Sequence, residues 1–177
     1  PDRIRALIVE GGNPLLSYSD TGKWREAVAA LDLLVVIDPA MSETAREADY
    51  VLPVPCGYEK WEVANFPRRH PQIQVHVRPP VVPASPDTRP VPVIYTCLLE
   101  EIGLVEPLPN PLHEMPCGED PIPERAAFFA RALELVAGPA SRGMDDETQI
   151  VSWAYRSVGR HLPAPSLVAV WALCQAN

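Results

Sequence analysis

Residues Ile4 to Pro53 read IRALIVEGGNPLLSYSDTGKWREAVAALDLLVVIDPAMSETAREADYVLP, and this stretch decides the fold. Two apolar runs, Ile4 to Val9 and Leu33 to Ile37, each stop at a turn. The first ends at Gly11-Gly12-Asn13-Pro14 and the second at Asp38-Pro39. Between them lies one amphipathic segment of helix length. A short apolar run, a helix and another short apolar run form the pattern of a βαβ unit with parallel strands. In such a sheet, ligands bind beyond the carboxyl ends of the strands. Asn13 and Asp38 both fall there.

The flanking pattern fills in this unit. Continuous apolar character from Ala6 to Val9 predicts a parallel strand covered on both faces. Asp20 suits the N-cap of a helix over Thr21 to Leu31, with Trp24, Ala27, Val28 and Leu31 as its buried stripe. Ser42 caps a short helix, SETAREA, with Glu43 in the first turn where the helix dipole favours negative charge. Tyr50-Val51-Leu52 is a third strand. Gln72 to Val77 alternates apolar and polar residues, which predicts a half-exposed edge strand.

Proline is dense from Pro79 to Pro92, an extended crossing segment. A helix follows over Val93 to Ile102, stopped by Gly103. Leu104 to Pro123 carries little structural signal. Further helices are expected over Glu124 to Ala137, from Asp145 or Asp146 to about Arg160, and over Ser166 to Ala176. Ala126, Phe129, Ala130 and Leu133 are expected to line the first of these, and Ile150, Trp153, Ala154 and Val158 the second. The organisation is thus an α/β unit over residues 1–103 and a proline-rich, mostly helical extension over 104–177.

Composition excludes several function classes. A chain of 177 residues with 47% hydrophobic content can bury a real core. A net charge of −8, with no basic stripe, argues against a general binder of nucleic acid or anionic membranes. No apolar run reaches the roughly 18 residues of a membrane span. Cys56, Cys97, Cys117 and Cys174 form no close pair, so they read as ordinary thiols and fit a cytoplasmic setting. His70, His76, His113 and His161 lack ligand spacing. Ser17 and Ser19 lack a base partner, and neither G-x-S-x-G nor G-x-G-x-x-G occurs. The start at Pro1 and the absence of a closing element read as an excerpt of a longer protein.

Taken as an ordered set, several pieces resemble one family. They are Gly12-Asn13-Pro14 after a strand, Asp38 at a strand end, Glu43-Thr44-Ala45, Ala48-Asp49, Val51-Leu52-Pro53 and Glu59-Lys60. Together they resemble the molybdopterin oxidoreductases that use a bis-molybdopterin guanine dinucleotide cofactor, such as formate dehydrogenases and nitrate reductases. The resemblance runs from about Arg3 to Ile102. It departs after Glu59-Lys60, where the chain has Trp61-Glu62 and then Asn65-Phe66-Pro67-Arg68-Arg69.

The resemblance implies a Rossmann-like dinucleotide-binding domain of the molybdopterin oxidoreductase type. It also implies molybdenum or tungsten as the metal, an iron–sulfur cluster upstream of this stretch, and contacts with other domains and electron-transfer subunits. A metal ligand from the protein would likewise lie upstream. Gly12, Asn13, Ile37, Asp38, Lys60 and Asp87 are carried over as cofactor contacts.

The chemistry of these residues is consistent with such a role. The Gly11-Gly12-Asn13 turn can offer backbone N–H groups to a pyrophosphate, and Asn13 adds a side-chain amide donor. Asp38 can accept from ribose hydroxyls or from guanine N1–H and N2–H₂, with Ile37 contributing backbone. Lys60 can place a point charge on a phosphate. Each also has a plain structural reading: Asn13 as a left-handed turn residue, Asp38 as a turn cap, Lys60 as an exposed lysine and Asp87 as a turn aspartate. Two other identities fit the same pattern. One is a scaffold that has lost the cofactor, like the large iron–sulfur subunit of respiratory complex I. The other is a stand-alone nucleotide-binding module.

Overall fold

The computed structural model describes residues 3–64, 68–69, 72–73, 76–115, 122–137 and 146–174. Backbone contacts divide the chain into two compact units, Pro1–Lys60 with Pro79–Val91, and Trp61–Arg78 with Pro92–Asn177.

The first unit holds β1 (Ala6–Glu10), α1 (Pro14–Ser17), α2 (Thr21–Ala29), β2 (Leu33–Asp38), α3 (Glu43–Arg46) and β3 (Tyr50–Pro53). The strands form a parallel sheet in the order β1-β2-β3, as the apolar runs predict. Asp20 caps α2 by accepting from the Lys23 N–H at 3.2 Å, and it does so from a left-handed backbone that aspartate tolerates. The turn of helix α1 is announced only by Pro14, whose fixed φ suits a first helical position.

Cover on both faces of the sheet is corrected at Ile8 and Tyr50, although Ile37, on the same face, is fully buried. Leu7, Val9, Leu34, Val36 and Val51 pack against Val28, Leu31, Ala45 and Ala48, all on one face. On the other face Ile8 stands opposite Val35, and Val35 opposite Tyr50, with Ile8 48% and Tyr50 63% exposed. Strands laid down in the order 1-2-3 with crossovers of one hand carry both connecting helices to the same side. The stripe expected on α2 is corrected too. Ala27 is exposed, and Trp24 is half-buried, stacking on Tyr18 with ring centroids 5.1 Å apart.

In the second unit, the described residues of the strand expected over Gln72 to Val77 are in two short antiparallel ladders. β4 (Glu62–Ala64) pairs with β7 (His76–Arg78), and β5 (Arg68–Arg69) with β6 (Gln72–Ile73). Both ladders pair this segment antiparallel with residues that precede it, with a one-residue difference in register between them.

The helices of this unit are α4 (Val91–Glu101), α5 (Asn110–His113), α6 (Arg125–Val136), α7 (Asp146–Ser157) and α8 (Val168–Cys174). Their core gathers Leu112, Phe128, Ala132, Val136, Ile150, Trp153, Ala154, Val158, Val168 and Trp171. The face expected on α7 is the buried one. On α6 the phase is corrected: Phe128, Ala132 and Val136 point inward, while Ala126, Ala130 and Leu133 are exposed and Phe129 is half-buried. Phe128 lies edge-on to Trp171 at 5.8 Å, and Phe129 stacks on the same ring at 6.0 Å from the rim of the core.

Candidate functional site

The candidate site is built from the loops that leave the carboxyl ends of β1, β2 and β3. After β1 the chain turns at Gly11, whose φ is +56°, a conformation favouring glycine. Its N–H donates to the Ile37 carbonyl at 2.9 Å and so extends the β1–β2 ladder. Gly11 therefore offers no donor to a ligand. The next two N–H groups, of Gly12 and Asn13, make no hydrogen bond among the described residues. A methyl group on Gly12 would meet only ordinary contacts, the Glu10 carbonyl oxygen at 3.7 Å and Val9 Cγ1 at 3.8 Å. The sheet end thus presents two adjacent unpaired donors with little bulk beside them.

The Asn13 side chain is held from the loop after β2. Its Oδ1 accepts from the Thr44 hydroxyl at 2.8 Å and from the Thr44 N–H at 3.2 Å. Its Nδ2 donates to Glu43 Oε2 at 2.5 Å. A backbone N–H can only donate, so the Thr44 N–H fixes which end of the amide is oxygen. Thr44 is buried, and its hydroxyl also accepts from the Leu15 N–H at 3.2 Å. Ser42 caps the same short helix by accepting from the Ala45 N–H at 3.3 Å. The Asn13 hydrogen bond holds the Glu43 carboxyl below the ordinary glutamate range, helped by its own backbone N–H.

Ile37 is fully buried near the end of β2, and Asp38 follows as the last residue of this central strand. Asp38 Oδ1 accepts from the Ala40 N–H at 2.8 Å and closes the turn. Its second oxygen has no partner among the described residues. Past β3, Glu59 folds back to accept from the Cys56 N–H at 2.9 Å, while Lys60 is half-buried with no carboxylate partner among the described residues. The Tyr58 carbonyl accepts from the Val81 N–H at 2.8 Å, and the Pro53 carbonyl, at the end of β3, accepts from the Arg89 N–H at 3.1 Å. These two bonds tie the proline-rich segment to the loops at the carboxyl end of the sheet. Asp87 lies exposed in a turn of that segment, two residues before Arg89.

Of the six residues singled out from the sequence, Ile37 and Asp38 end β2, and Gly12, Asn13, Lys60 and Asp87 lie on loops at or tied to the carboxyl end of the same sheet. Thr44 and Glu43, which hold Asn13 from 31 and 30 residues away, were not singled out for that part. Nor was Asp49, whose Oδ2 accepts from the Leu34 N–H at 2.7 Å while its own N–H donates to the Leu34 carbonyl at 3.0 Å. Among the described residues, no three of His, Cys, Asp or Glu gather as metal ligands. Nor is any helix long and apolar enough to cross a membrane.

The first unit is thus a parallel α/β unit with unpaired donors, a free carboxylate oxygen and a lysine without a carboxylate partner among the described residues at or near the carboxyl ends of its strands. The family model for molybdopterin oxidoreductases matches residues 1–95, and the chain belongs to that family. It is 41% identical over 78 residues to the alpha subunit of F420-dependent formate dehydrogenase from Methanocaldococcus jannaschii. That match covers 44% of this chain and 12% of the relative. It is 30% identical over 139 residues to trimethylamine-N-oxide reductase from Haemophilus influenzae, covering 78% of this chain and 16% of the relative. A biotin sulfoxide reductase from Cereibacter sphaeroides is 35% identical over 68 residues, covering 38% of this chain and 9% of the relative. The chain thus spans only a small part of these curated relatives. Its family implies a molybdenum–molybdopterin cofactor.

Proposed function

We propose that residues 1–103 hold a guanine dinucleotide tail of that cofactor, within a longer enzyme that carries out two-electron redox of a small substrate. The observation that carries this reading is the pair of unpaired N–H groups at Gly12 and Asn13, beside Asp38 with its free carboxylate oxygen. The donor set suits the ligand. Pyrophosphate takes N–H donors from a turn and a cation such as Lys60. Ribose hydroxyls or the guanine N1–H and N2–H₂ edge donate to a carboxylate such as Asp38 or Asp87.

When bound, the metal would supply the electron-transfer chemistry. The part of this chain is to bind and orient. Gly12 and Asn13 take the phosphates through their backbone, Ile37 fixes the strand end, Asp38 and Asp87 accept from the nucleoside, and Lys60 balances charge. Residues 104–177 form the helical extension of this domain. The metal's protein ligand, the substrate pocket and any iron–sulfur cluster belong to other parts of the polypeptide. The protein works in the cytoplasm, alongside electron-transfer subunits.

The test is nucleotide release from the polypeptide that carries this chain, purified from its native host. Acid hydrolysis followed by chromatography should liberate GMP, and Asp38→Ala should lower the amount per polypeptide. Release of no guanine nucleotide from well-folded protein overturns the reading.

A further inference from the structure

The unpaired donors at Gly12 and Asn13 lie in a turn whose far end is held locally, the Asn13 carbonyl accepting from the Leu16 and Ser17 N–H groups at 3.0 and 2.8 Å. Gly11 is bonded to β2, but the backbone N–H groups of the next two residues bond to nothing among the described residues. A further restraint on their orientation, acting through the Asn13 side chain, comes from across the sheet end. Thr44 is its centre: one buried hydroxyl donates to Asn13 Oδ1 and accepts from the Leu15 N–H, on either side of Pro14. The Thr44 N–H adds a second bond to the same Oδ1, and Glu43 takes the amide from the other end. The hydroxyl thus uses its proton and a lone pair, and the Asn13 amide is engaged at both ends.

We infer that Thr44 and Glu43 are positioning residues of the site, and that the Asn13 side chain serves as the strut they hold. Ligand contact is left to the backbone N–H groups of Gly12 and Asn13. This inference rests on the reading under Proposed function and deepens it. It assigns the Glu43-Thr44-Ala45 segment a part in binding although neither Glu43 nor Thr44 touches the ligand. A buried hydroxyl is needed because valine has the shape of threonine but neither its donor nor its acceptor. Losing one such bond with its partners left buried corresponds to about a tenfold change in a local opening equilibrium.

The experiment uses Thr44→Val, Thr44→Ser and Glu43→Ala in the polypeptide purified from its native host. Two readouts are taken: hydrogen exchange in the peptide spanning residues 11–17, and guanine nucleotide released per polypeptide. Thr44→Val should speed exchange there about tenfold and lower the nucleotide content, while Thr44→Ser keeps both near wild type. Glu43 is exposed, so Glu43→Ala keeps the fold. It should move both readouts in the same direction as Thr44→Val, by a smaller factor. Faster exchange with unchanged nucleotide content in both Thr44→Val and Glu43→Ala overturns the positioning role. Unchanged exchange in both shows that the strut does not hold the turn, and also overturns it. If the wild type releases no guanine nucleotide, the binding reading itself falls and takes the positioning role with it. The exchange arm distinguishes that outcome from a failure of the strut.

Discussion

Two neighbouring glycines should respond to the same substitution in opposite ways. Gly11 has a φ of +56°, and a Cβ there would meet nothing within 4 Å, so alanine is opposed by backbone strain alone. Holding an L-residue in the left-handed region costs about 1–2 kcal/mol. Loss of glycine's freedom in the unfolded chain returns about 0.4–1 kcal/mol of that. Gly11→Ala should therefore destabilise the first unit by about 1 kcal/mol, equivalent to about fivefold in its unfolding equilibrium. Gly12 does not have a positive φ, and the nearest neighbours of an added Cβ lie at 3.7 and 3.8 Å. Gly12→Ala should thus leave stability within about 0.5 kcal/mol of wild type. The added methyl, however, sits beside the two unpaired N–H groups and should lower nucleotide content. The assay is hydrogen exchange of the β1 and β2 amides, which reports on this unit alone, paired with nucleotide release. Equal exchange in the two variants, or a Gly12→Ala protein that keeps its nucleotide, would refute the reasoning.

Asp49→Ala should destabilise the first unit by about 2 kcal/mol, since it removes a carboxylate acceptor from the buried Leu34 N–H; Asp49→Asn, which keeps an acceptor, should lose less. Denaturant unfolding followed at the β2 amides measures both. Phe128→Ala should cost the second unit about 3–5 kcal/mol, because the ring is fully buried against Phe129 and Trp171; a loss under 1 kcal/mol in thermal or chemical unfolding would contradict this packing. The Glu43 carboxyl titrates below its ordinary range in the folded chain, so its contribution to stability is fully present above its unfolded pKa. That contribution is lost as pH falls through the lowered folded value. Carbon-detected NMR titration should show that low midpoint, and Asn13→Ala should return it toward the ordinary range.

Much of the first unit was legible because its causes are local. Apolar runs ending at Gly-Gly-Asn-Pro and Asp-Pro, with Asp20 and Ser42 as caps, specify strand, helix and turn from neighbouring residues alone. What could not be read depends on pairing across distance. An apolar strand looks the same whether one face or both are covered, so the exposure of Ile8 and Tyr50 on the second face left no mark in the sequence. The alternation in Gln72 to Val77 was visible, but the earlier residues it pairs with, and the one-residue shift in register between the two ladders, were not. On α6, two phenylalanines in succession let the stripe be drawn through either one; both touch Trp171, and Phe128 is the one fully buried with Ala132 and Val136. At the site, Asn13 and Asp38 stood out by their place after strands. Thr44 did not, because a threonine inside a short helix gives no sign that its hydroxyl faces an asparagine 31 residues earlier.

The most direct test of the central claim is the composition of the polypeptide that carries this chain, purified from its native host. Metal content by elemental mass spectrometry is measured alongside release of the fluorescent oxidised pterin. Molybdenum or tungsten together with pterin is the expected result, and it directs the next work to formate, nitrate and related small substrates. Well-folded protein containing neither metal nor pterin would contradict the account, and Asn13 and Asp38 would then be turn residues and nothing more.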